Sequence, residues 1–207
     1  MIRSIEDLLH PHDPARLDAA MLANARLHLK GGRAAEFARL LPWEVFNTLP
    51  TAERLLSAEL TIVQRARPAF FDLAAPGTRY GSARPLRAEA LHGLCEQGMS
   101  LVLNHVEHHV ARVAALNAMI ERRYRAAVAT NCYASFRKES AFPPHFDGHN
   151  VLVLQLHGSK RWYCHGQPYR FPRANGRFPS PEDPGPVEAE IVLEPGDLLR
   201  PIAWCCE

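Results

Sequence analysis

Apolar residues recur every three or four positions through the first part of the chain, then give way to alternation and short unbroken runs. Ile5, Leu8 and Leu9, followed by Leu17, Met21, Leu22 and Ala25, form a helical stripe that Pro11 and Pro14 interrupt. Leu27–Leu29 predicts a short strand, ended by Gly31 and Gly32. Helical spacing resumes over residues 34–41 and, after Pro42, over 43–49, each with a core-facing stripe. Leu60, Ile62 and Val63 predict a strand, and residues 74–85, with their Gly, Pro and Ser, predict a loop and an internal boundary. Residues 86–97 predict a short helix stopping at Gly98, a position suited to positive φ. Ser100–Leu103 predicts a strand, and residues 106–124 a long helix with Arg122, Arg123 and Arg125 near its C-terminal end, where cations suit the helix dipole.

Beyond that helix the texture is β-like. Residues 126–135, 151–156, 161–164 and 187–193 are short strand candidates separated by turns, which favours an antiparallel barrel or sandwich. Residues 172–186 predict a loop, because β-like sequence continues after them.

Composition narrows the class without selecting a function. The chain has 207 residues, 47% hydrophobic and 22% charged, enough for a sizeable core in one domain. Twenty-four Lys and Arg against 22 Asp and Glu leave a net charge of +2, too little to steer the protein onto nucleic acid. No apolar run approaches the roughly 20 residues needed to span a bilayer. The N-terminal MIRSIEDLLHPHD lacks a signal-like apolar stretch, so a cytoplasmic location is expected. Cys95, Cys132, Cys164, Cys205 and Cys206 make an odd count without CxxC spacing, and reduced thiols are the expectation.

Candidate chemistry concentrates in residues 143–162, PPHFDGHNVLVLQLHGSKRW. In an extended backbone His145 and Asp147 point to the same side and can converge on one ion. An imidazole with a carboxylate makes two thirds of the facial triad that binds non-haem Fe(II) and leaves positions open. An HxD pair alone is common and is equally explained by a structural hydrogen bond. Here it precedes an apolar run, a turn at Gly158 and Lys160, which can reach back as a carboxylate anchor if the two flanking strands are neighbours. A solvated hairpin lysine is the plainer alternative. Elsewhere, His105 and His109 stand four apart on the expected helix but fit neither HExxH nor HxxEH, so a solvated face is expected. Cys205 and Cys206 read as part of a terminal strand, and Trp162 as a strand residue packing on the barrel. His28 and Lys30 beside Gly31 and Gly32 show no phosphate-loop spacing.

These residues carry a resemblance. HFDGHNVLVLQLHGSKRW is similar to the signature of the JmjC-type cupins of the ribosomal oxygenase group, which are Fe(II)- and 2-oxoglutarate-dependent protein hydroxylases. EQGMSLVLNHVEHH and TNCYASF upstream and LEPGDLL downstream extend the likeness over about residues 86–199. It implies an α+β fold, a cupin-like double-stranded β-helix (jelly roll) preceded by and decorated with helices. Residues 1–85 would form a mainly helical N-terminal region packing on the barrel, and 86–207 the JmjC domain, together one structural unit. It further implies iron on His145 and Asp147, Lys160 on the distal carboxylate of 2-oxoglutarate, and Asn131 and Tyr133 lining the same pocket, with Tyr133 equally readable as a core residue. The implied activity is that of a dioxygenase, an oxidoreductase hydroxylating a side chain of a protein or peptide such as a ribosomal protein. A homodimer is left open, and no nucleic acid or membrane partner is indicated.

The chain departs from the pattern after Pro195, Gly196 and Asp197, where the family's next strand ends in a third ligand, a histidine. Here the sequence reads LLRPIAWCCE, so the candidates are Glu207 or Cys206, with His149 behind them. Glutamate would keep an oxygen-rich site, whereas cysteine would be a soft ligand less suited to Fe(II). The domain is therefore expected to be incomplete at its C-terminal end. A non-catalytic cupin-like binding module that has lost the third ligand is the alternative reading. A metal-dependent isomerase or sugar-binding cupin is disfavoured by Lys160.

Overall fold

A Ser-x-x-Asp sequence starts the first helix. In the computed structural model, the Ser4 side chain accepts the Asp7 N–H at 3.2 Å while the Asp7 carboxylate accepts the Arg3 N–H at 3.1 Å, which satisfies donors that a helix start leaves unpaired. Helix α1 spans Ile5–Leu9 and buries Ile5, Leu8 and Leu9. The structure describes residues 2–51, 59–64, 67–68, 88–136, 144–145, 147–166, 185–201 and 205–206. The expected boundary at residues 74–85 lies outside them, as do Glu207 and all but the last two residues of the expected loop at 172–186. The chain forms two compact units, residues 1–40 with 142–207, and residues 41–141.

In the first unit α2 (Ala15–Ala23) ends at Asn24, whose left-handed backbone turns the chain into β1 (Leu27–Leu29). Helix α3 (Ala34–Ala38) buries Phe37. The second unit opens with α4 (Trp43–Thr48), in which Trp43 stacks on Phe46 at 5.2 Å between ring centroids. It continues through β2 (Leu60–Gln64), β3 (Arg67–Pro68), α5 (Ala88–Glu96), β4 (Ser100–Leu103), α6 (Ala111–Tyr124) and β5 (Cys132–Ala134). Strands β3, β2, β4 and β5 form an antiparallel sheet in that order. As expected, α5 ends before Gly98, which takes a positive φ of 90°.

The remaining strands return to the first unit: β6 (Val153–Leu154), β7 (Lys160–His165), β8 (Val187–Leu193), β9 (Leu198–Arg200) and β10 (Cys205–Cys206). They form two antiparallel sheets, β1-β9-β6 and β10-β7-β8. Trp162, Cys164 and Leu193 of one sheet and Leu199 of the other form a buried cluster, with Val153, Ala189 and Ile191 packed against it. Two small sheets thus bury a shared apolar core, the arrangement of a sandwich or jelly roll.

Several expectations change in detail. The helix expected over residues 106–124 is two pieces, a 3-10 turn at Val106–His108 and then α6. Val110, at φ −124° and ψ 105°, is extended and separates them. The strand expected over 151–156 contracts to Val153–Leu154. Among the described residues Cys95, Cys132 and Cys164 are free thiols, in line with the reduced state expected. Among them, too, no helix is long and apolar enough to cross a membrane.

Candidate functional site

The turn that separates the metal-ligand candidates from Lys160 decides how they can meet. Residues 153–154 belong to the sheet with β9, whereas Lys160 begins β7 in the other sheet, opposite Leu193. The two strands are therefore not hydrogen-bonded neighbours, and the simple hairpin route for Lys160 is replaced by a crossing from sheet to sheet. Gly158, with φ 62°, makes that turn, and the Gln155 amide ties it by donating to the His157 and Gly158 carbonyls at 2.9 and 3.2 Å. Gln155 is itself fixed by backbone bonds with Gly196 and Asp197. Lys160 is half-buried, while His145, Asp147 and His149 are exposed.

The segment carrying His145 and Asp147 is anchored three residues beyond Asp147. Asn150 accepts a hydrogen bond at 2.7 Å from Arg200, the last residue of β9. Arg200 is 2% exposed, and its other donors go to Asn24 Oδ1 and the Ala25 carbonyl, each at 2.7 Å, and to Met21 Sδ at 3.1 Å. Four of its five N–H groups are thereby directed. Burial pushes the guanidinium pKa down, and even so an arginine stays charged.

Asp197 supports the same region from the next turn. Its carboxylate accepts the Gly31 N–H at 2.9 Å and the Glu194 N–H at 3.1 Å, and meets His28 Nε2 at 3.0 Å. Burial alone would raise its pKa, but these bonds from Gly31, His28 and Glu194 outweigh it and hold the carboxyl below its ordinary value of 3.8. The turn and β1 approach so closely that a Cβ on Gly31 would collide with the Gly196 carbonyl. This explains the glycine at position 31 without any phosphate-loop role.

Asn131 and Tyr133 stand in the second unit, and His145, Asp147 and Lys160 in the first. Asn131 Oδ1 accepts the His105 N–H at 3.3 Å. Tyr133 is 44% exposed, which excludes the core role weighed for it. Trp162 is a core residue, as expected. Cys206 lies on β10, opposite Tyr163 of β7. The His145 and Asp147 donor types, one imidazole and one carboxylate, suit Fe(II). Among the described residues, however, the only three-donor group is His105, Glu107 and His108, and His149 does not complete one with the pair.

Helical spacing pairs His105 with His109 and hides this group, because a 3-10 turn stands where the periodicity predicts a helix. Arg200 and Asn150 also escape a reading by motif. The signal they leave in the sequence is a charged residue closing the otherwise apolar Leu198-Leu199-Arg200 strand.

Residues 102–201 match the JmjC domain. The chain is 28% identical over 110 residues to the bifunctional lysine-specific demethylase and histidyl-hydroxylase NO66 of Drosophila persimilis, covering 53% of this chain and 16% of that protein. It is 35% identical over 81 residues to ribosomal oxygenase 2 of Rattus norvegicus, covering 39% and 17%. A solved structure of YcfD, a ribosomal oxygenase from Escherichia coli in complex with cobalt and succinic acid, superposes with a TM-score of 0.52 at 14% identity, over 92% of this chain and 46% of that one. At that identity the likeness establishes the fold alone, an α+β cupin-like fold. The chain spans less than a fifth of these two curated relatives and under half of the YcfD chain.

Proposed function

We propose that this chain, whose residues 102–201 match the JmjC domain and which is similar to ribosomal oxygenases, is a JmjC cupin of that group, an Fe(II)- and 2-oxoglutarate-dependent oxygenase hydroxylating a side chain of a protein or peptide. A ribosomal protein is the first candidate substrate, by analogy with the names its relatives carry. The observation that carries the reading is the His145 and Asp147 pair on a segment tethered through Asn150 to the buried Arg200. In this reading His145, as neutral imidazole, and Asp147, as carboxylate, hold the iron. Lys160 donates to the distal carboxylate of 2-oxoglutarate.

Bound iron and 2-oxoglutarate supply the oxidising chemistry: one oxygen atom of O2 enters the substrate carbon and the other enters succinate, with loss of carbon dioxide. The protein's part is placement. A half-buried ammonium at Lys160 favours a carboxylate partner, because its charge is less screened there than in open solvent. The third ligand is proposed from Glu207, Cys206 or His149. Hydrogen bonding of β10, which carries Cys206, to β7, which carries Lys160, supports a ligand from the C-terminal strand.

Incubation of the full chain with Fe(II), 2-oxoglutarate and ribosomal protein is expected to form succinate, with His145→Ala abolishing it and Lys160→Ala weakening 2-oxoglutarate binding. The second reading, a binding module without catalysis, is favoured by the absence of a third donor beside His145 and Asp147 among the described residues. Folded protein that binds metal weakly and forms no succinate would decide for it.

A further inference from the structure

The sequence HVEHH follows a buried strand, and its backbone determines what its side chains can do. Val106–His108 is a 3-10 turn, in which residues three apart eclipse one another. His105, whose left-handed backbone (φ 55°) leads into the turn, stacks on His108, with ring centroids 5.1 Å apart and planes 7° from parallel. Glu107 lies between them in sequence, and one ligand atom from each of the three lies within 4.8 Å of the others.

Each donor is held by the surrounding second unit. Glu107 Oε2 accepts the Thr130 N–H at 2.9 Å, and its Oε1 stands 3.3 Å from His105 Nδ1. The Thr130 carbonyl accepts the Val106 N–H at 2.9 Å, and Thr130 is bonded through its hydroxyl to the buried Asn117 of α6. The turn is therefore laced to α6 rather than free in solvent. Behind it, the buried Glu59 carboxylate lies 3.5 Å from His108 Nδ1 and 3.1 Å from His109 Nε2. A carboxylate on one nitrogen of an imidazole fixes the ring and raises the basicity of the other nitrogen, the usual support for a metal-bound histidine.

We infer that His105, Glu107 and His108 form a second metal site, separate from His145 and Asp147, that takes a divalent cation of the Zn2+ class, with Glu59 as the residue that orients His108. Two imidazoles and one carboxylate suit Zn2+, Co2+ or Ni2+ and are poor donors for Mg2+ and Ca2+, which prefer all-oxygen shells. Two donors bound to one cation at about 2.0–2.1 Å in near-tetrahedral geometry stand about 3.3 Å apart, the separation already present between His105 and Glu107. His105 and His108 keep 50% and 60% of their side-chain surface exposed, so a cation reaches them and open positions remain for water.

The test uses the tag-free full chain with His145→Ala and Asp147→Ala, so that the proposed iron pair contributes nothing. After chelator treatment it is titrated with Zn2+ by calorimetry and with Co2+ by visible absorption. One equivalent of Zn2+ is expected to bind, at least about tenfold more weakly after either His105→Ala or His108→Ala. Glu59→Gln, which keeps the shape of the buried side chain, is expected to lower affinity by about 10–100-fold. Far-UV circular dichroism verifies that each variant is folded. No binding by the folded chain, binding unaffected by either histidine change, or Mg2+ binding as tight as Zn2+ would each overturn the proposal. The result stands independently of succinate formation, which depends on His145.

Discussion

Two histidine–carboxylate groupings, one in each compact unit, use the same side chains in opposite ways. In the first unit the Asp197 side chain is 4% exposed and its oxygens are occupied by two backbone N–H groups and the His28 ring. Buried and bonded three times, this carboxylate is closed to a ligand from solvent, and the grouping serves to lock the turn before β9 onto β1. In the second unit Glu107 spends one oxygen on the Thr130 N–H and turns the other toward His105, while His105 and His108 remain half or more exposed. Residue type does not separate a fold-holding network from a ligand site. Saturation of lone pairs and access to solvent do.

The contrast is broken most severely at Asp197. Asp197→Ala strands two backbone donors and the His28 ring, and is expected to cost about 3–5 kcal/mol in urea unfolding; a loss below about 1 kcal/mol would show that saturation is not what holds this turn. The same residue sets a pH dependence. Its folded-state pKa is held below 3.8, so its contribution is fully present at neutral pH and is lost as the pH falls below that ordinary value. Asp197→Asn should flatten this acid limb of the stability profile.

Arg200→Leu comes next, at about 1–3 kcal/mol, because the half-buried Ala25 carbonyl and Asn24 Oδ1 lose their donor. Hydrogen exchange of residues 147–150 is expected to quicken in this variant; unchanged exchange would show that Asn150 does not need its anchor. The smallest effect belongs to the exposed pair. In metal-free protein, His105→Ala combined with His108→Ala should change stability by less than about 0.5 kcal/mol. A loss above about 2 kcal/mol would make that cluster a fold device too and erase the contrast.

Much of the element order is legible in the sequence because it rests on neighbours along the chain. Period and turn residues locate β1, β4 and β8, and place positive φ at Gly98. The motif spacing of His145, Asp147 and Lys160 points to the JmjC cupin, which the match over residues 102–201 supports. The errors arise where distant parts of the chain compete with local preference. Residues 106–124 have helical periodicity throughout, yet the hydrogen bonds of Val106 and Glu107 to Thr130 tighten the first turn and Val110 breaks from it. That one change of backbone converts a pair of histidines four apart into a stacked pair three apart.

Nothing in the order of residues announces that Arg200 binds Asn24 and Asn150, or that Gly31 must lack a Cβ to clear Gly196. Local spacing is a property of neighbouring residues, so periodicity and motifs are carried by the amino-acid sequence itself. Which polar groups are saturated, which stay open to a ligand, and which sheet receives each strand depend on contacts between residues far apart in the chain, and only folding brings those together.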